Sequence, residues 1–183
     1  MNSGPSGNES WPGPADLATG AAAGQNGATS QNGATGQNGA TVDARQRSYT
    51  WDDPAIAAEA ARALDGLSFF REIMSGRLPA PPIMATLGIS AVSFERGKAV
   101  FAVTPAEYHY NPIGSVHGGV YATICDSACG CAVHTMLPAG AYYTSIDLDT
   151  RFIRPITSGT GGCCARARST TSGPGPRWPG LGW

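Results

Sequence analysis

The sequence predicts an α+β domain in which antiparallel strands pack against one long apolar helix, and three observations carry that expectation. Two β-branched and aromatic runs, ISAVSFE and KAVFAVTP, are separated only by Arg96-Gly97, the spacing of a hairpin whose second strand is buried on both faces. GSVHGGVYATICDSACGCAVHTML is apolar over a helical length, with Asp126 its sole formally charged residue at neutral pH, which predicts a buried helix. TSIDLDTRF then alternates, Ile146, Leu148 and Phe152 on one side and Asp147, Asp149 and Arg151 on the other, the period of a half-exposed strand.

Before these elements the chain reads as tail and then helix. The units GQNGAT, SQNGAT and GQNGAT follow one another from Gly24 to Thr41 with almost no apolar side chain larger than Ala. Folding such a repeat loses backbone entropy with no burial to offset it, so residues 1–50 are expected to be a disordered, low-complexity tail. Asp53-Pro54 reads as a helix N-cap with proline at the first helical position, and the helix runs through IAAEAARAL to Gly66. LSFFREIM follows as a short amphipathic helix, stopped by Gly76 and by a turn at Pro79, Pro81 and Pro82.

From Gly159 the chain becomes rich in Gly, Pro, Arg and Trp and loses strand and helix periodicity. The expected organisation is therefore a domain over residues 51–158 and an aberrant, disordered tail over 159–183. The abruptness of the change points to an altered reading frame near Gly161, which would leave the sheet without its last strands and with an open edge.

Composition excludes several function classes. With 183 residues, a formal net charge of -1 and 14% charged residues, the chain has room for one domain and no basic surplus for nucleic acid. MNSGPSGNESWPGP has neither a basic nor an apolar signal region, so the expected address is the cytoplasm. A membrane span is disfavoured in the long apolar segment by Asp126, two histidines and several glycines. Cys125, Cys129 and Cys131 crowd one helix and Cys163 adjoins Cys164, which is no disulfide framework, so all five are expected to be thiols.

The chemistry-bearing residues lie around the start of the long helix. A carboxylate on an otherwise apolar helix is costly unless paired, which singles out Asp126. In NPIGSVHGGV, Gly118 and Gly119 fall at the expected first turn, where free backbone N–H groups meet no blocking side chain. A thioester carbonyl placed there would be polarised as its oxyanion develops, a donor worth about 3 to 4 kcal/mol of barrier. Asp126 comes seven positions after Gly119, roughly 10 Å further along at about 1.5 Å per residue. If the two cooperate, the carboxylate must come from an antiparallel copy of the helix, which predicts a two-fold dimer with shared sites.

In order and spacing, PPI, LGI, NPIGSVHGGV, DSACGCAV and FIRPI over Leu78 to Ile156 resemble the PaaI-type (phenylacetic-acid-degradation) hot-dog thioesterases. The resemblance implies a curved antiparallel sheet wrapped around the helix, dimers or tetramers, and hydrolysis of acyl-CoA with no cofactor or metal. Carried over by position, it makes Asp126 the nucleophile or general base and gives Gly119 and Gly118 the N–H groups that meet the thioester oxygen. His117 and Asn111 orient them, and Ser145 stands near the attacking water. Turn-forming readings remain open for Asn111, His117 and Ser145.

Rival readings are weaker in their residues. Cys125 and Cys129 share a helical face with zinc-ligand spacing, but Cys131 falls elsewhere and His134 alone does not complete the set. No residue is positioned as base for a Cys125 nucleophile. A dehydratase of related fold would carry a different active-site pattern. The competitor from another class is a hot-dog protein that binds acyl-CoA without turning it over.

Overall fold

The computed structural model describes residues 45–170 and, nearer the N-terminus, the backbone of two short strands, β1 (Ala34–Thr35) and β2 (Thr41–Val42). These two form a small antiparallel ladder within the Gln-Asn-Gly-rich repeat. The remainder of the expected N-terminal tail up to residue 44, and residues 171–183 of the expected C-terminal tail, lie outside the described residues.

Helix α1 (Pro54–Ala63) starts where the sequence indicates, with the Asp53 carboxylate accepting from the Ala55 N–H at 2.9 Å and Pro54 in the first turn. Helix α2 (Gly66–Met74) is capped in the same way by Asp65, which accepts from the Ser68 N–H at 3.1 Å. Gly66 sits hard against the last turn of the long helix: a Cβ there would lie 1.7 Å from the His134 carbonyl oxygen. The proline cluster does more than turn the chain. Pro82 opens a short helix, α3 (Pro82–Leu87), because a proline N–H is not needed in a first turn, and Gly88 closes it in the left-handed conformation.

The hairpin forms as expected. Strands β3 (Ile89–Glu95) and β4 (Lys98–Val103) pair antiparallel about Arg96-Gly97, with Glu95 opposite Lys98 and a bulge between Ala91 and Ser93. Phe101 and Ala102 point to opposite faces of β4 and both are buried. The long helix α4 (Gly118–His134) lies across the sheet. Its apolar stripe Val120, Ile124, Ala128 and Ala132 is buried, and the last three join Ile89, Ala99, Phe101, Val103 and Ala167 in one core. The Phe70 ring of α2 stacks on Phe94 at 4.2 Å and covers the edge of this core.

Two sequence expectations are overturned here. Cys163–Arg168, placed in a patternless tail, is a strand, β5, paired antiparallel with β4 over six positions from Lys98↔Arg168 to Val103↔Cys163. Cys163, Ala165 and Ala167 alternate inward onto the core while Arg166 and Arg168 face outward, a period-2 pattern that the Gly/Pro/Arg/Trp composition had masked. The domain therefore runs past the boundary drawn at 158. The second correction concerns the segment containing Ser145–Phe152, which has no regular secondary structure and joins no ladder among the described residues. Among the described residues the sheet order is β3-β4-β5, with β5 at its edge and no strand between it and this segment, whose Ile146 and Phe152 are left 80% and 61% exposed.

Candidate active site

The helix start is built by a tight loop. Asn111 donates its backbone N–H to the Ser115 carbonyl at 2.8 Å, while its side-chain oxygen accepts from the Ile113 and Ser115 N–H groups at 3.0 and 3.4 Å. Its amide nitrogen donates to the Ser115 hydroxyl at 3.2 Å, so Asn111 acts by shaping the turn. His117 is the N-cap of α4: its Nδ1 accepts from the Gly119 N–H at 2.9 Å, and its carbonyl accepts from the Val120 N–H at 3.0 Å. The Gly118 N–H has no such partner among the described residues. The sequence reading gave both glycine N–H groups to a ligand, but here the His117 ring holds the one on Gly119.

Phe152 covers this helix end. A Cβ on Gly118 would lie 3.1 Å from the Phe152 ring, so glycine is what allows the aromatic face onto the first turn. The segment is tied down just beyond: the Val116 N–H donates to the Ile156 carbonyl at 2.9 Å, and the Tyr110 hydroxyl accepts from the Ser158 N–H at 2.7 Å. Phe152 lines an open cleft of about 620 Å³ together with Ile113, His117, Gly118, Gly119 and Ala122. It also lines a second cleft of about 270 Å³ that includes Ser115, Tyr121 and Arg154. Phe152 was legible in the sequence only as an apolar strand position; its place in the lining of two clefts needs the fold.

Asp126 corrects the expectation of a helix buried all round. It is exposed, on a ridge of α4 with Gly119, Ala122 and Cys129, opposite the stripe that meets the sheet. One sheet face can cover only one side of a helix, and the described residues leave the far side open at Asp126. Ser145 is brought to Asp126, its hydroxyl donating to the carboxylate at 2.6 Å. Tyr143 lies over Gly130, where a Cβ would come within 2.6 Å of its hydroxyl. Burial and the nearby Cys131 and Asp126 push the Tyr143 phenol up to about 12, and burial and Asp126 push the Cys131 thiol up to about 12.

The predicted residues thus fall in two groups, Asn111, His117, Gly118 and Gly119 at the helix start and Asp126 with Ser145 along its open ridge. Among the described residues no group of three or more His, Cys, Asp or Glu side chains is arranged to hold a metal.

Residues 113–172, which hold the HGG turn, Asp126 and β5, match the family model of the thioesterase superfamily. Over this segment the chain is similar to the thioesterase superfamily. The match runs past Gly161, where the sequence alone suggested a change of frame. Among solved structures, the phenylacetic acid degradation-related protein of Ralstonia eutropha JMP134 is 26% identical with a TM-score of 0.52, over 57% of this chain and 79% of that one. The PaaI protein of the Escherichia coli phenylacetic acid degradation operon is 22% identical with a TM-score of 0.49, over 60% and 75%. A thioesterase family protein from Silicibacter pomeroyi is 24% identical with a TM-score of 0.48, over 64% and 75%. Among curated proteins none gives a significant match. Among the described residues, the three-stranded antiparallel sheet on a central helix has the hot-dog architecture.

Proposed function

We propose that this domain hydrolyses acyl-CoA thioesters in the cytoplasm as a homodimer or homotetramer, using water, a carboxylate and helix-end N–H groups without metal or cofactor. The observation that carries the reading is the open ridge of α4, which presents Asp126 with its Ser145 hydroxyl on the same face as Gly119. Roughly 10 Å separates the two along one helix, so a carboxylate from an antiparallel copy completes the site at each helix start. There the thioester oxygen meets the Gly118 N–H, and the Gly119 N–H once the His117 ring turns aside, while the acyl and CoA arms take the two clefts that Phe152 lines.

Asp126 accepts a proton from water as the water oxygen bonds to the carbonyl carbon. The oxyanion collapses, the carbon–sulfur bond breaks, and the proton on Asp126 passes to the departing thiolate, giving free acid and CoA. Ser145 holds the carboxylate, and Asn111 holds the loop that presents His117.

Thiol release from aromatic and medium-chain acyl-CoA esters tests this. Turnover should fall by at least about a hundredfold in Asp126→Asn. Mixing Asp126→Asn with His117→Ala chains should restore one intact site per mixed dimer; equal, unrestored loss in the mixture would place both residues in the same subunit's site. A second reading, acyl-CoA binding without turnover, draws support from the occupied Gly119 N–H. Tight acyl-CoA binding by a folded dimer with no thiol release would favour it.

A further inference from the structure

His109 is 3% exposed and both of its ring nitrogens are engaged. Nδ1 accepts from the Ala106 N–H at 3.1 Å, and Nε2 lies 2.8 Å from the Leu87 carbonyl, to which it must therefore donate. The ring is thus the neutral tautomer carrying its proton on Nε2. Its own backbone carbonyl accepts the His117 N–H at 2.8 Å. One residue therefore connects the end of α3, the single helical turn Glu107–His109 and the N-cap of α4. Arg47 completes the clamp, donating to the Ala85 and Thr86 carbonyls at 2.6 Å each and lying over the Tyr108 ring at 4.2 Å. Three consecutive carbonyls at the end of α3 are thereby held by side chains from two other segments.

We infer that His109 is a positioning residue for the His117-Gly118-Gly119 turn, fixing the N-cap of α4 through its carbonyl while its neutral ring anchors the loop to α3. The inference rests on the proposed function only in taking that turn to be the catalytic one. Protonation of the ring would abolish the Nδ1 acceptor and turn Nδ1–H against the Ala106 N–H. The groups facing the ring are the Arg47 guanidinium from the N-terminal segment, the Tyr108 phenol ring 4.2 Å away, and the α3 carbonyl of Leu87. Glu107, on the same turn, pairs outward with Arg45. Burial, and then Arg47, hold the imidazole below its ordinary range against the raising effect of the Leu87 bond, so the clamp is intact at neutral pH and released on acidification.

Nitrogen-resolved NMR of the full-length protein tests this without relying on turnover. In the wild type the Gly119 amide resonance should move with the titration of His109. In His109→Asn, whose side-chain oxygen can still accept from Ala106, the His109 step should vanish while the amide keeps its neutral-pH position. His109→Leu should speed Gly119 amide exchange about tenfold. Where thioesters are turned over, kcat should fall about tenfold in His109→Leu with KM little changed, and His109→Asn should recover most of it. A Gly119 amide insensitive to His109 titration in the wild type, or equal exchange and kcat in folded His109→Leu, would overturn the inference. If His109→Leu does not fold, the wild-type and His109→Asn titrations decide alone. A wild type that shows the coupling and hydrolyses no thioester would refute the proposed activity and leave the positioning role standing.

Discussion

Thr135→Val removes a buried hydroxyl while leaving the packing volume almost unchanged. Thr135 is 1% exposed; its hydroxyl accepts from the Gly97 N–H at 2.8 Å and donates to the Ala132 carbonyl at 2.7 Å. It ties the β3–β4 hairpin turn to the last turn of α4. Valine fills the same space, so no cavity contribution arises, but the buried Gly97 N–H loses its acceptor and the Ala132 carbonyl a donor. An orphaned buried donor costs about 1–3 kcal/mol, which sets the expected loss at about 2 kcal/mol. Urea unfolding should show a lower midpoint with an unchanged slope, and hydrogen exchange should speed at Gly97. Thr135→Ser, which keeps the hydroxyl, should lose less. A change below about 0.5 kcal/mol with Gly97 as protected as in the wild type would refute the claim that this hydroxyl locks hairpin to helix.

Two further outcomes follow from burial. His109 and His134 are both held below the ordinary histidine range, chiefly by burial, so the unfolded chain binds more protons than the folded one between their folded values and about 6.5. Their contribution to stability is fully present above about pH 6.5 and is lost as pH falls towards the folded values; a urea midpoint that does not drop between about pH 7.5 and 5.5 would contradict it. Exposed Cys129 should alkylate with iodoacetamide well before Cys131, whose thiol is pushed up to about 12, and mass spectrometry of a time course at about pH 8 that found Cys131 modified first would contradict the packing of α4.

The local elements were legible in the order of residues alone. Asp53-Pro54 placed a helix start, Arg96-Gly97 a hairpin, and the apolar run after Ser115 a long helix, because caps, left-handed turns and periodicity act over a few residues. The order of Asn111, His117-Gly118-Gly119 and Asp126 was enough to point to the thioesterase superfamily. Composition misled at the C-terminal end: the alternation in Cys163–Arg168 was present, but an alanine and arginine pattern identifies a strand only when β4 stands beside it to supply the ladder.

Which side of each element is covered, and which group holds each polar atom, depends on how the elements pack. Asp126 reads as buried from its apolar neighbours in sequence, yet one sheet covers one helical face and leaves it exposed beside Ser145. TSIDLDTRF has the period of a strand but finds no partner backbone among the described residues, since strand formation depends on hydrogen bonds to residues that local pattern does not specify. His109, Arg47 and Thr135 carry no signal in the sequence. Their roles arise from backbone groups brought to them by chain segments far away in sequence, and burial makes each of those hydrogen bonds costly to lose.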